Sequence, residues 1–494
     1  MEKVSNHRLL KNNWSAIIIV FLTPLLWYFV SAILPTHDDW TSLTRPTFAP
    51  FFTKERFFLY GNYWRPFDSM IGYVAGRNPQ ALFPAFHHIL VVVGHVLCSL
   101  LVLRLLSVLR FGVTSRNVAT VFFFITPAAM ATVTAVDSQN QVYSLLCGIV
   151  SFLLYVGVKK GKYLLWAVFV FLAALFKENG LMWALICPLL AYGFDFIDRK
   201  SLRKDLLAGI GIMAMYALAI VLQPKDIVIQ AEYIPGVMKI IKNMVKFMFT
   251  SFVTVDYVYL LHQPNRNMWM AAITFLMALP FIYSILIGNG KTLIGKKMIC
   301  TMLCLLIAVA PHLLTVFSMM HAYAGLAMVA VMTACLMDTG RHGKETMLFF
   351  LLFAVNAVFI DAHLISESVK SGQVGKSMAV EAIRKTGEPA RRVYVIIIED
   401  DYPKLSSFCV VPSDAFGWGR AAQYETNNQW PEEIRDTTIL RAPDSMQRAK
   451  KIGSEILEKD SFDCVWIVDG KHIVEASGKR QFLEARSKRQ EARE

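Results

Sequence analysis

The sequence predicts a mainly α, polytopic membrane helix bundle of about eleven spans followed by a small C-terminal α/β soluble domain. Three observations carry that expectation. The 494 residues are 55% hydrophobic with a mean hydropathy of +0.44 and only 18% charged, whereas soluble chains average about 45–50% apolar and about 25% charged. The apolar residues come in unbroken runs of about 17–22, the length that crosses a bilayer as a helix, which excludes a plain soluble enzyme and a disordered or fibrous chain. The net charge of +13 gathers in clusters between these runs. That is the habit of cytoplasmic loops facing anionic lipid rather than of a nucleic-acid surface, so no nucleic-acid partner is expected.

Taken in order, the runs lie near 15–34, 86–106, 117–136, 141–158, 163–176, 180–197, 205–222, 267–287, 298–318, 320–337 and 346–361. The first lacks a small-residue cleavage pattern and is too long for a signal peptide, so it reads as a retained span. The clusters Lys3/Arg8/Lys11, Arg104/Arg110/Arg116, Lys159/Lys160/Lys162, Arg199/Lys200/Arg203/Lys204, Lys291/Lys296/Lys297 and Arg341/Lys344 all fall on one side if 223–265 does not cross. Within that segment Lys239, Lys242 and Lys246 repeat at helical spacing beside Ile240, Ile241 and Met244, the pattern of an amphipathic helix in the interface. The N-terminus is then cytoplasmic, and loops 35–85 and 223–265 lie outside with the tail.

The tail changes regime. Arg392 to Ile398 and Phe462 to Val468 read as buried strands. Asp444 to Lys459 reads as a helix with Ala449, Ile452 and Ile456 on one face. The expected organisation is a membrane domain over 1–362, an outer accessory α/β domain over 363–477 and a charged flexible tail over 478–494. Six of the eight cysteines sit in spans, as small hydrophobes. Cys409 and Cys464 lie outside, where a disulfide and free thiols are both open.

The residues able to do chemistry gather at the outer ends of the runs. Pro35-Thr36-His37-Asp38-Asp39-Trp40 follows the first span. Two adjacent carboxylates there raise one pKa, which suits a general base, or else one of them caps the next helix. Tyr63-Trp64-Arg65-Pro66-Phe67-Asp68 sets an Arg between aromatics, matching phosphate binding or an interfacial anchor. His87, His88 and His95 follow Asn78-Pro79. His88 and His95 share a helix face and either polarise a substrate or bond to neighbouring helices. Asp137 and Gln141 share another face after Thr126-Pro127, and an ionisable group so near the membrane reads as functional. Lys177 and Glu178 end a further run, as a structural pair or with Lys177 neutralising a leaving phosphate. His312 and His321 occupy the same outer level. Two motifs lead nowhere. Gly290-Lys291-Thr292 lacks the first glycine of a phosphate loop, where Ile285 stands. Glu399-Asp400-Asp401 lacks a glycine-rich turn.

In this order, these elements resemble the membrane-embedded GT-C glycosyltransferases that use polyprenyl-phosphate sugars. The nearest likeness is to the branch of protein O-mannosyltransferases and bacterial aminoarabinose transferases. The resembling residues are Asp38-Asp39, Tyr63-Trp64-Arg65-Pro66, Asn78-Pro79 with Phe86-His87, Pro127 with Asp137, Lys177-Glu178, and Met320 to Leu326 with His321 where the family usually has Arg. The likeness covers roughly residues 15–340, and the tail lacks TPR periodicity. It implies inverting transfer of a sugar to a glycan, lipid or protein hydroxyl at the outer face of a bacterial inner membrane. It also implies that Asp38 is the base with Asp39 as its partner, and that Arg65, Lys177 and His321 hold the donor phosphate. No cofactor is assigned with certainty. A divalent metal between the two acids stays open, as do a surface-glycan polymerase or ligase and a lipid-linked glycan transporter.

Overall fold

The computed structural model describes residues 12–36, 39–40, 64–68, 70–71, 85–222, 236–252, 295–314, 318–338, 343–400, 411–427, 429–459 and 462–478. The chain is mainly helical, with a small C-terminal sheet. In order, the membrane half consists of α1 (Trp14–Val30), α2 (Ala85–Val108), α3 (Val113–Ile125), α4 (Pro127–Val133), α5 (Gln139–Gly157), α6 (Lys162–Phe176), α7 (Trp183–Gly193), α8 (Arg199–Val221), α9 (Val237–Phe252), α10 (Lys296–Leu313) and α11 (Tyr323–Asp338). Short 3-10 turns at Val136–Ser138, Glu178–Met182 and Met319–Ala322 connect them.

Among the described residues, six helices are long and apolar enough to cross a bilayer, or seven if the bent pair α3–α4 is one span. The pair bends by 48° because Thr126, which precedes Pro127, is extended (ψ 135°). A residue before proline is pushed out of the helical region. Helices α1 and α6 are apolar but shorter, at 17 and 15 residues. The run at 180–197 resolves into a 3-10 turn and the 11-residue α7. The run at 267–287 lies outside the described residues.

The basic clusters that fall on described residues meet at one end of the bundle. Arg116 reaches Asn12 O at 3.0 Å, Arg110 lies over Phe196, Lys296 bonds Asp195, and Lys162 is 3.7 Å from Asp205. Helices α6, α8 and α10 therefore all start at the cationic end. The segment 223–265 contains the amphipathic α9, which buries Asn243 and Phe247 and bonds Leu313 O through Asn243 at 3.0 Å.

Helix α12 (Gly343–Thr386) has 44 residues. At about 1.5 Å per residue it is roughly 66 Å long, twice the hydrocarbon core of about 30 Å. Its second half therefore extends beyond the length of one span. The boundary expected at 362/363 falls inside this helix, and Met378, Ala379 and Ala382 near its end pack on the sheet. The domain continues with β1 (Arg392–Glu399), α13 (Pro412–Phe416), α14 (Arg420–Glu425), β2 (Glu433–Leu440), α15 (Ser445–Glu458), β3 (Cys464–Asp469) and β4 (His472–Gly478). The strand order is β2-β1-β3-β4, with β1 parallel to both neighbours and β4 antiparallel to β3.

Opposite faces of the sheet are covered. Helix α12 and Phe416 pack on Val395 and Trp466, while Ala449 and Leu457 of α15 pack on Ile396 and Ile398. Both expected strands and the helix are present. Cys464 is a free, buried thiol, and Cys409 lies outside the described residues.

Candidate functional site

The far end of the bundle, opposite the cationic cluster, holds most of the residues singled out above. The loop at 64–68 docks there through four of its five residues. Trp64 packs on Tyr216 of α8, ring centroids 5.4 Å apart. Arg65 grips Glu178 with both ends of its fork, Nε to Oε2 at 2.7 Å and Nη2 to Oε1 at 2.5 Å. Phe67 meets Phe176 at 5.1 Å, and Asp68 Oδ2 accepts from Asn140 Nδ2 at 3.3 Å. Asn140 Oδ1 in turn accepts from Lys177 Nζ at 3.3 Å. The Arg65–Glu178 pair and the Asp68–Asn140–Lys177 chain thus lie side by side, each joining the loop to residues far from it in sequence, and their charges act on one another.

The charges in this network perturb one another. Burial, then the Asp137 charge, push the Asp68 carboxyl up to about 7, against the pull of Arg65, Asn140 and Lys177. Burial and the Arg65 charge bring the Lys177 ammonium down to about 8. Burial works against ionisation of Glu178, but the Arg65 guanidinium outweighs it and holds the carboxyl down at about 2. The site therefore pairs a fixed ion pair, Arg65–Glu178, with two groups that change charge near neutral pH. Such values suit proton transfer.

His312 at the end of α10 and His321 in the 319–322 turn stack with centroids 4.4 Å apart and planes 11° apart. Both are close enough to Lys177 and Arg65 to feel their charge. Thr132 of α4 donates to Met320 O at 3.3 Å, which ties the His321 turn to the segment carrying Asp137.

Asp39 joins the site by a different route. Its Oδ1 accepts from the Asp137 backbone N–H at 2.7 Å and its Oδ2 from Thr36 N–H at 3.1 Å. Both oxygens of this buried carboxylate thus hold backbone, as a cap does. Its neighbour Trp40 points into the C-terminal domain. The indole N–H donates to Ala415 O at 3.1 Å, and the ring packs edge-on against Tyr424 at 5.3 Å. Gly417 beside it has φ +57°, and a Cβ there would stand 2.1 Å from Trp40 Cδ1. Only glycine leaves room for the indole.

Asp39, Trp64, Arg65, Asp68, Asp137, Lys177, Glu178, His312 and His321 are brought to this end together. His88 is not part of the network and bonds Ile33 O at 3.1 Å. His95 bridges Tyr323 OH (2.9 Å) and Phe124 O (3.0 Å). These two serve the packing alternative. Gln141 is buried with neither amide atom hydrogen-bonded, as is Gln139. Asp68 Oδ1 and His321 Nδ1 also lack partners among the described residues. Asp38, Tyr63 and the His87 side chain lie outside the described residues.

Two residues escaped the sequence reading. Asn140 bridges Asp68 and Lys177, and the polar triplet Gln139-Asn140-Gln141 opening an apolar helix was its available signal. Trp40 carried none. Among the described residues no group of three or more His, Cys, Asp or Glu side chains is placed to hold a metal ion. Comparison of the chain with known protein families, curated proteins and solved structures finds no match.

Proposed function

We propose that the chain is an inverting membrane glycosyltransferase of GT-C type, transferring a sugar from a polyprenyl-phosphate donor to a hydroxyl of a glycan, lipid or protein. The observation that supports this most is the meeting of the Arg65–Glu178 pair and the Lys177–Asn140–Asp68 chain at the end of the bundle opposite the cationic cluster. By the positive-inside bias, that end faces outward; in a bacterial inner membrane it meets the periplasm.

In the proposed reaction a carboxylate takes the acceptor's proton. The resulting oxygen attacks the anomeric carbon from the face opposite the phosphate, the C–O bond to the lipid phosphate breaks, and the polyprenyl phosphate leaves with the electron pair. Lys177 and Arg65 supply positive charge where that phosphate develops its own. His321, at the position where the resembling family has Arg, adds a donor. The base is Asp38 by its motif. Among the described residues Asp68 has the environment of one, buried, with one oxygen unpartnered and a pKa of about 7.

The test uses the purified full chain in nanodiscs with lipid-linked sugars extracted from its own host membrane, and mass spectrometry follows both lipid and acceptor. Transfer should release one polyprenyl phosphate per acceptor glycosylated. Loss of a base should leave donor binding intact while transfer falls by about 10²–10⁴-fold, so Asp38→Asn and Asp68→Asn identify which acid acts. Donor that crosses the bilayer uncleaved would instead make the protein a transporter.

A further inference from the structure

The cationic end of the bundle holds a second feature, remote from the candidate site and independent of its chemistry. Helices α8 and α10 both pack on α7 at glycines. A Cβ on Gly209 would stand 2.3 Å from Ala184 O, and one on Gly193 would stand 2.7 Å from Cys300 Cβ. Between them lies a groove of about 490 Å³, floored by Leu189 and Tyr192 of α7 and walled by Leu202 of α8 and Ile299 and Leu303 of α10. Its walls are open to the surroundings, since Ile299 is 45% and Leu303 44% exposed. The volume is that of a small-ligand pocket.

One end of the groove is charged. Lys296 lines it, one helical turn before Ile299 and Cys300. Its ammonium lies 3.9 Å above the Tyr192 ring and 2.6 Å from Asp195 Oδ1. Arg199 stands one turn before Leu202 on α8, while Lys204 lies over Tyr163 and Lys297 over Phe194 at the same end of the bundle. The acids facing them are Asp195, whose side chain is 73% exposed, and Asp198, which caps α8 by accepting from Ser201 N–H at 2.8 Å. Cations outnumber acids at the mouth, while the walls are apolar.

We propose that this groove is a binding site for one anionic phospholipid, with an acyl chain along Leu189, Leu202, Ile299 and Leu303 and the phosphate at Lys296. An acyl chain gains little by leaving the bilayer for an apolar groove, because lipid tails are as apolar as leucine. Selectivity therefore comes from the headgroup, and each basic residue near it favours an anionic lipid by about fivefold. Lys296 has three donors, so a phosphate oxygen shares the ammonium with Asp195 and competes with it for that charge. Asp195 then acts as a competitor and a like charge, and it tunes the site downward.

That arrangement gives two substitutions of opposite sign. Lys296→Gln keeps the stem on the groove and removes the charge. Asp195→Asn removes the competitor, and asparagine tolerates the left-handed backbone at φ +61° that aspartate adopts there. The full chain is reconstituted in nanodiscs of equal phosphatidylglycerol and phosphatidylethanolamine and extracted in mild detergent. Native mass spectrometry then counts the retained phospholipids, with melting curves confirming that each variant is folded. The native chain should retain phosphatidylglycerol preferentially. Lys296→Gln should lower that preference by about fivefold, and Asp195→Asn should raise it. Equal retention of the two lipids by all three proteins would overturn the site. Displacement of phosphatidylglycerol by an equimolar polyprenyl phosphate with the same dependence on Lys296 would overturn the assignment to phospholipid.

Discussion

Trp40 is one contact through which the C-terminal domain reaches the candidate site, beside Val136 in the same cluster, and Trp40→Ala tests how firmly. The side chain is 2% exposed, and replacing a buried tryptophan by alanine costs about 3–5 kcal/mol. Within that sum, the edge-on pair with Tyr424 contributes about 0.5–1.5 kcal/mol and the indole N–H bond to Ala415 O about 1 kcal/mol. Part of the loss falls on the apolar cluster of the sheet, in which Trp40 packs with Val136, Phe416 and Tyr424. The rest falls on the docking of Trp40 and its neighbour Asp39. Asp39 is the next residue, and its carboxylate holds the Asp137 N–H. Opening the Trp40 contact therefore frees that N–H for exchange. Hydrogen–deuterium exchange of the peptide covering 133–140 should accelerate by about 10²–10⁴-fold, with α5 beyond residue 145 unchanged. Trp40→Phe, which keeps an aromatic ring but loses the N–H bond and part of the indole's packing, should accelerate it by less than Trp40→Ala and by at least about fivefold. If the segment keeps native protection in Trp40→Ala, the C-terminal domain does not position the Asp39–Asp137 contact and the reasoning fails.

Other expectations follow from the polar network. Asp39→Asn leaves one oxygen to accept where two backbone N–H groups point, so it should lower stability by about 1–3 kcal/mol, read as a lower melting temperature. A fully buried ion pair costs about 3–5 kcal/mol to break, but Glu178 is 36% exposed, so Arg65→Gln should cost about 1–3 kcal/mol. Adding Glu178→Gln should restore melting without restoring transfer. With an ionised Asp68 and a protonated Lys177 both required, kcat/KM should rise through about pH 7 and fall above about pH 8, and Asp68→Asn should abolish the rising limb. Stability carries the same signature. The Asp68 pKa is raised in the folded chain from 3.8 to about 7. Its contribution is therefore complete below about pH 4 and lost as pH rises through about 7, and melting curves of Asp68→Asn should be flat across that window.

The sequence alone determined the environment of each segment. Long apolar runs have only one low-energy surrounding, a bilayer or its equivalent, so the helices could be read from composition without knowing a single contact. Ionisable groups at the ends of such runs are costly and stand out. Asp137, Lys177, Glu178, His312 and His321 were singled out for that reason, and Arg65 and Asp68 for the aromatics around the Arg in the loop. The strand around Ile396 and the helix around Ala449 were legible from their apolar pattern. Edge strand β2, with only Ile439 well buried, showed no pattern to read.

Partner choice was decided only by tertiary structure. Lys177 and Glu178 are adjacent and read as a possible pair, yet Glu178 takes Arg65, 113 positions away, because the planar fork of Arg donates to both carboxylate oxygens at once. Helix α12 crosses the change from apolar to polar residues without a break, since hydropathy reports surroundings and not backbone continuity. Trp40 meets Ala415 across 375 positions, and no local propensity encodes a contact whose other half is a carbonyl beside a glycine. Which acids hold protons and which hold backbone was likewise settled by packing: Asp39 found two N–H groups and became a brace, while Asp68 was left with an open oxygen among charges.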